Sequence, residues 1–228
     1  MTLYRGTGRT LGGQRFRRGV KGVLVMDDLR ASLVSVLGHG DFPLLMGAIV
    51  RLVAQGEPVA LDRLADEAGL PLDRVESWLH GQPGTDWAED GRLLGFGLTQ
   101  RRTPHRFRVG NRVLYAFCAA DTLFFPPMLG EKASVESTCP STGQRIGVEL
   151  TPEAVTSVDP ATAVVSQASL HFDMTDIRAN SCDHGHFFAS LDAAAEWRRD
   201  HPDGAVRPIG EYFTVGLAAS RELGWAAA

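Results

Sequence analysis

Hydrophobic spacing changes once along this chain. Before about residue 80, apolar residues recur every three to four positions, which is typical of amphipathic helices. After about residue 107, the apolar runs shorten to the length of strands and are separated by Gly, Pro and Asn. This order predicts an α+β protein, with an N-terminal helical, winged-helix-like module followed by a mixed core of short, mainly antiparallel strands with flanking helices.

The first part predicts four helices and a hairpin. In the second helix Asp41 is a candidate N-cap, and in the fourth Leu72, Val75 and Leu79 are expected to share one face. A turn signal at Glu89-Asp90-Gly91 completes the winged-helix-like unit. The predicted helices are Asp27 to Leu37, Asp41 to about Ala54, Leu61 to Ala68, and Leu72 to Leu79.

The second part predicts strands and two further helices. The stretch from Cys118 to Leu129 is apolar but is broken by Pro126 and Pro127. The strands are Phe107 to Val109, Val113 to Tyr115, Val135 to Ser137, Ile146 to Leu150 and Ala163 to His171; the helices are Leu191 to Arg199 and Glu211 to Leu223. We therefore divide the chain into a basic, flexible extension (1–26), the helical module (27–100) and an α+β core (101–228).

Charge and cysteine content narrow the location and the partners. The formal net charge is −4, and residues 41–80 carry seven acids against three bases, so we expect no nucleic-acid partner. No apolar run approaches the ~20 residues of a membrane span, and residues 1–26 do not have the pattern of a secretion signal. The odd cysteine count, three, argues against a disulfide framework and for reduced thiols in the cytoplasm.

Cys118 and Asp121 form the first candidate site. If a helix begins here, the two side chains lie three positions apart on one face. The helix dipole would favour the thiolate, and the carboxyl group could move a proton to or from it. The spacing alone is equally that of a buried structural cysteine beside a helix-capping Asp, which is the commoner situation.

A second candidate site contains Cys182, Asp183, His184 and His186. On a strand, Cys182, His184 and His186 would share one face and could bind zinc, with Cys118 or Cys139 as a fourth ligand. The paired spacing of common zinc sites is missing, so histidines with structural hydrogen bonds remain the commoner explanation. Cys139 precedes Pro140-Ser141-Thr142-Gly143, a turn sequence, and is expected to be a buried structural thiol.

Three segments resemble the organomercurial (alkylmercury) lyase family. Tyr115 to Pro126 is similar to the family's first catalytic segment, with Phe117 where the family pattern has Trp; Arg178 to Ser190 resembles the second, and Cys139 falls at a third family cysteine. The resemblance covers about Asp41 to Glu222 and is strongest from Val113 to Leu129. It implies that Cys118 and Cys182 bind mercury and that Asp121 donates a proton, which makes the core at 101–228 the catalytic part.

The implied reaction is protonolytic cleavage of a carbon–mercury bond to a hydrocarbon and mercury(II). Mercury(II) is soft and prefers thiolate sulfur, so two cysteines would polarise the bond while Asp121 protonates the leaving carbon. The carboxyl group would need a raised pKa, as burial provides. The resemblance implies no cofactor, an organomercurial as substrate, external low-molecular-weight thiols for product release and, as a further partner, a mercuric reductase.

Two other functions remain open from the residues alone. A metal-sensing transcriptional regulator would combine a helix-turn-helix-like module with a cysteine-containing domain, although the acid excess opposes DNA binding. A non-catalytic zinc-binding protein of the same fold would use the second candidate site.

Overall fold

The helical first part of the chain agrees with the prediction. The computed structural model describes residues 26–169 and 174–226, so the predicted basic extension lies outside the described residues except for Met26. The first four helices are α1 (Met26–Leu37), α2 (Phe42–Val53), α3 (Leu61–Ala68) and α4 (Leu72–His80).

Two details of these helices differ from the prediction. Asp41 makes no side-chain hydrogen bond to the backbone at the start of α2, because its carboxylate instead accepts a hydrogen bond from Arg74 in α4. Helix α4 packs through Val75 and Leu79, whereas Leu72, in its first turn, is 41% exposed. The predicted side-chain cap at Asp41 is therefore wrong, although the helices themselves are confirmed.

Among the described residues, eight strands form one antiparallel sheet in the order β1-β2-β3-β5-β4-β6-β7-β8. The hairpin predicted at Glu89-Asp90-Gly91 joins β1 and β2. The sheet runs without a break through residue 100, so the division of the chain there stays a prediction. The strands are β1 (Asp86–Trp87), β2 (Leu93–Phe96), β3 (Leu98–Thr99), β4 (His105–Val109), β5 (Arg112–Ala116), β6 (Ala133–Thr138), β7 (Arg145–Leu150) and β8 (Val155–Asp159).

Three further described strands form a smaller antiparallel sheet in the order β10-β9-β11. These are β9 (Val164–Gln167), β10 (Phe187–Phe188) and β11 (Ala205–Pro208). Strand β9 is shorter than the predicted Ala163 to His171, and residues 170–173 lie outside the described residues. The remaining helices are α5 (Asp121–Leu129), α6 (Ile177–Asn180), α7 (Ala195–Asp200) and α8 (Ile209–Glu222); α7 begins four residues later than predicted.

Helix α5 is the buried centre of the fold. It continues through Pro126 and Pro127, where the sequence predicted a break, and ends at Gly130 in the left-handed conformation. Leu123 and Phe125 are fully buried, and the helix packs against α2 and α8. Tertiary packing here outweighs the two hydrogen bonds that proline removes. As a result Asp121 stands at the N-terminus of a rigid, buried helix.

Within the described ranges, no single helix is long and apolar enough to cross a membrane. The helix pair Leu29–Leu37 and Phe42–Val53, bent by 89°, passes that test together by length and composition.

Candidate active site

Two distant segments of the chain meet beside the start of α5. The first leaves β5 at Ala116, and the backbone N–H of Phe117 donates to the carbonyl of Gly97 (2.8 Å). The second runs from α6 through a 3₁₀ turn, Cys182–His184, to β10. The N–H of Ala119 donates to the carbonyl of Gly185 (3.0 Å), which fixes the two segments to each other.

Cys118, Asp121 and Cys182 come together at this meeting point. Their two sulfur atoms and a carboxylate oxygen all lie within 4.8 Å of one another. The N–H of Cys118 donates to Oδ2 of Asp121 (3.2 Å), and the N–H of Asp121 donates to Sγ of Cys118 (3.3 Å). Both cysteines are buried, and Asp121 is half-buried. The structure thus assembles the three residues that the sequence selected, in a group able to hold one soft metal ion.

Burial controls the protonation of the cluster. It raises the pKa of Asp121 from 3.8 to about 6, against hydrogen bonds with the two cysteines that lower it. The pKa of Cys118 is raised by its hydrogen bond to Cys182, by burial and by the charge of Asp121. The same hydrogen bond lowers the pKa of Cys182, but burial and the charges of Asp121 and Asp183 outweigh it. Near neutral pH the cluster therefore holds two thiols beside a carboxyl group that can both accept and donate a proton.

Gly185 allows the two segments to approach closely. A Cβ atom at this position would lie 2.8 Å from Cβ of Cys118 and 3.4 Å from its sulfur. Real Cβ atoms do not come this close, so any side chain here would displace Cys118.

The segment that carries Cys182 is held by hydrogen bonds to its backbone. The N–H of Ser166 donates to the carbonyl of His186 (2.9 Å), and the hydroxyl of Ser166 accepts from the N–H of His186 (2.9 Å). Nε1 of Trp197 donates to the carbonyl of His184 (3.0 Å). Since these bonds use main-chain atoms, they fix the path of the segment independently of its side chains.

Arg178 connects the cluster to the N-terminal hairpin. Its guanidinium lies over the ring of Phe117, 3.9 Å from the centroid, and donates to the carbonyl of Gly84 and to Oδ1 of Asp86, each at 3.0 Å. Asp86 is buried and also accepts a hydrogen bond from Thr99 (2.7 Å). A residue of the second segment therefore fixes the ring that precedes Cys118.

Two of the cavities formed by the described residues adjoin the cluster. The aromatic cavity has about 490 Å³ of empty space, including open solvent, and is lined by Met46, Phe96, Phe117, Phe125, Met128 and Trp225. The Tyr212 cavity, about 460 Å³, is lined by Cys118, Ser166, Gln167, Ser181, Gly185 and Tyr212. Both share Leu37, Asp121, Phe124, Ile177 and Cys182, so the reactive atoms border two neighbouring spaces, of which the second adds the hydroxyl-bearing residues Ser166, Ser181 and Tyr212.

The structure does not assemble the zinc set that the spacing left open as the less common alternative. Cys182–His184 is a 3₁₀ turn and not a strand, so Cys182 and His184 do not share a face with His186. Nδ1 of His184 lies 3.3 Å from Nε2 of His201, and the ring of His186 packs against Phe188. Across residues 26–169 and 174–226, the Cys118 cluster is the one group of three or more such side chains close enough to share a metal ion.

Cys139 lies at a turn away from the cluster, between β6 and β7. It is fully buried, and its N–H donates to the carbonyl of Gln144 (2.8 Å). Its sulfur lies 3.3 Å from the hydroxyl of Ser141, which in turn donates to the carbonyl of Ala193 (2.7 Å). This placement suits the structural thiol that the sequence suggested.

Sequence reasoning missed three contributors: Arg178, Gly185 and Tyr212. Arg178 and Gly185 lie within the second segment, but no spacing rule identifies a cation above a ring or a glycine pressed against a thiol. Tyr212 lies inside the helix predicted from Glu211 to Leu223, where an aromatic residue indicates only a buried face.

Comparisons with known proteins agree with this geometry. A family model described as alkylmercury lyase matches residues 98–220, and one described as the helix-turn-helix domain of alkylmercury lyase matches residues 26–97. The chain is 38% identical over 172 residues to an alkylmercury lyase of Staphylococcus epidermidis, covering 75% of this chain and 79% of that protein. It is 41% identical over 181 residues to one of Streptomyces lividans, covering 79% and 84%.

The fold also matches a solved structure. The mercury-bound form of MerB2 superposes with a TM-score of 0.68 at 22% identity, covering 86% of this chain and 98% of that one. The match extends over the helices and the sheet together.

Proposed function

The chain belongs to the alkylmercury lyase family, and from that membership we propose that Cys118, Asp121 and Cys182 carry out its reaction. The activity is cleavage of a carbon–mercury bond by protonation, which gives a hydrocarbon and mercury(II). The observation that supports the assignment is the cluster of two thiols and a carboxylate, with ligand atoms within 4.8 Å of one another, the one such group in the part of the chain that the structure describes.

The reaction begins with exchange of sulfur ligands on mercury. An organomercurial enters as R–Hg–SR′, and one cysteine thiol displaces R′SH to give R–Hg–S–Cys. Thiolates are the ligands that soft mercury(II) prefers, so this exchange needs no other metal or cofactor, and mercury arrives as part of the substrate. The second cysteine lies within 4.8 Å and is placed to bind the same mercury atom.

Asp121 then moves one proton from sulfur to carbon. As its carboxylate takes the proton of the second thiol, the resulting thiolate binds mercury and weakens the carbon–mercury bond. The protonated Asp121 delivers that proton to carbon, leaving RH, mercury(II) on two cysteine sulfurs and an ionised carboxylate. A pKa of about 6 suits a group that must accept and donate within one turnover near neutral pH.

The remaining assignments concern partners and location. External low-molecular-weight thiols, with a mercuric reductase as a further partner, remove mercury(II) from the two cysteines, in a reducing cytoplasm where the thiols persist. Neither nucleic acid nor membrane is part of the function. Residues 41–80 carry seven acids against three bases, which opposes the DNA binding that a helix-turn-helix shape would otherwise suggest.

Substitutions can distinguish the role of the two cysteines from that of Asp121. Cys118→Ser and Cys182→Ser should lose tight mercury(II) binding and cleavage together, because a hydroxyl is a hard, weak ligand for a soft ion. Asp121→Asn should still bind mercury(II) but release hydrocarbon ~10²–10⁴ more slowly. The measurements are mercury(II) affinity and single-turnover benzene release from phenylmercury.

Asp183→Asn is the matched control, because Asp183 is next to Cys182 but its side chain is 58% exposed. Near-normal benzene release from Asp121→Asn, or an equal loss in Asp183→Asn, would refute Asp121 as the proton donor.

A further inference from the structure

The two cavities give the two ligands of mercury separate places. Mercury(II) with one carbon and one sulfur ligand is collinear, so its organic group and its sulfur ligand point in opposite directions from the metal. Cys182 and Asp121 line both cavities, whereas Phe117 and Trp225 line the aromatic cavity alone and Cys118 and Tyr212 line the Tyr212 cavity alone. A mercury atom at the cluster therefore borders both cavities, and its two ligands can enter different ones.

The walls of the cavities distinguish the two ligands. An organic group gains free energy by leaving water for the aromatic and methionine side chains of the aromatic cavity. A thiol compound carries polar groups that would lose hydrogen bonds there. The lining of the Tyr212 cavity includes Cys118 and two residues with hydroxyl groups, Ser181 and Tyr212.

Tyr212 is placed to recognise sulfur. Its ring packs edge-on against Phe124, with centroids 6.3 Å apart, which fixes the direction of the phenol. The residue is 3% exposed and is one of the side chains that line the Tyr212 cavity. Burial, followed by the charges of Cys118, Asp121 and Cys182, raises its pKa, so the phenol stays protonated and can only donate to an anion.

We propose that the Tyr212 cavity is the subsite for the external thiol and that the Tyr212 hydroxyl donates a hydrogen bond to its sulfur. The inference rests on the proposed function, since it assigns a place to the thiol that the reaction releases and later consumes. In product release two R′SH molecules replace the cysteine sulfurs: two mercury–sulfur bonds to cysteine break, two to R′S form, and each thiol proton passes to a cysteine. No atom is oxidised or reduced.

Tyr212→Phe tests the hydrogen bond, because it removes one oxygen atom and keeps the ring. Hydrocarbon release from phenylmercury is followed at increasing 2-mercaptoethanol, alongside a single turnover with no added thiol. We expect the KM for thiol to rise roughly five- to tenfold, which is the effect of losing one hydrogen bond to a charged sulfur. This fold-increase in KM should exceed the fold-decrease in the single-turnover rate. Tyr115→Phe, on β5 outside both cavities, is the matched control.

Ser181→Leu tests the cavity itself by narrowing it. The KM for bulky glutathione should rise relative to the KM for 2-mercaptoethanol, whereas a hydrogen-bond change alone would move both. An unchanged thiol KM in Tyr212→Phe, or an unchanged glutathione to 2-mercaptoethanol ratio in Ser181→Leu, overturns the subsite. If the unaltered protein releases no benzene in a single turnover, the proposed function fails instead, so the two failures are distinguishable.

Discussion

Replacing Asp121 by Asn should stabilise the protein while slowing the cleavage reaction. The carboxyl group has a pKa of 3.8 when solvated and about 6 in the fold, because burial disfavours its charge. Raising the pKa by about two lowers the free energy of unfolding by ~3 kcal/mol when the group is ionised in both states. Asp121 is half-buried, so water screens part of this effect, and we expect a gain of ~1–3 kcal/mol in Asp121→Asn.

The size of the stabilisation expected in Asp121→Asn depends on pH. Below pH 3.8 the folded and the unfolded protein both hold the proton, and the wild-type side chain carries no penalty. The penalty develops as the pH rises from 3.8 to about 6, because in this range the carboxyl group ionises in the unfolded state but stays largely protonated in the fold. Above this range the penalty is complete. The advantage of Asn should therefore be full at pH 8, roughly half at pH 5 and absent at pH 3.5.

Urea unfolding of the wild type and of Asp121→Asn at pH 8 and pH 5 measures this difference. Asparagine has the size of aspartate, and its amide oxygen can still accept from the N–H of Cys118, so packing is preserved. Asp183→Asn, at an exposed position, should change stability little at either pH. A loss of stability in Asp121→Asn at pH 8, or a gain independent of pH, would refute the account of a buried, destabilised carboxylate.

Three further predictions use the same assays. Single-turnover cleavage should increase with pH through about 6, because ionised Asp121 must first accept a thiol proton, and a flat profile from pH 5 to 8 would contradict this. Gly185→Ala should lower the free energy of unfolding by ~1–3 kcal/mol and slow cleavage, since its Cβ would lie 2.8 Å from that of Cys118. Gly210→Ala is the control, because a Cβ there would have no atom within 4 Å, and equal behaviour of the two variants would refute the contact. Cys139→Ser should lose ~1–3 kcal/mol of stability and keep cleavage, so a stable Cys139→Ser protein that binds mercury(II) without cleaving substrate would give Cys139 a chemical role.

The sequence predicted local structure better than long-range placement. Helices α1 to α4, the β1–β2 hairpin and the strand pairs around Gly110 and Cys139 follow from periodicity and turn residues, which act over a few positions. Helix α5 was missed because proline is a local signal against a helix, while burial between α2 and α8 is a property of the whole fold.

The reactive residues were found through resemblance and not through spacing. Cys118 and Cys182 are 64 positions apart, and no periodicity rule connects them. The zinc set failed for a related reason: alternate positions share a face only on a strand, and Cys182–His184 is a 3₁₀ turn. The position of the Arg178 guanidinium over Phe117 and the Tyr212 cavity both depend on packing between distant elements, which a single sequence does not show.

The eight-stranded sheet includes strands on both sides of residue 100, so the helix-turn-helix part of the chain packs together with the part that carries the reactive residues. It also lines the aromatic cavity, in which we place the organic group. Met46, Phe96 and Gly97 from this part line the aromatic cavity, while Cys118, Asp121 and Cys182 all come later in the sequence. Substitutions in the early part can therefore reshape the space offered to the organic group without altering the atoms that break the bond. The helix-turn-helix part of the chain therefore forms part of the wall of the aromatic cavity.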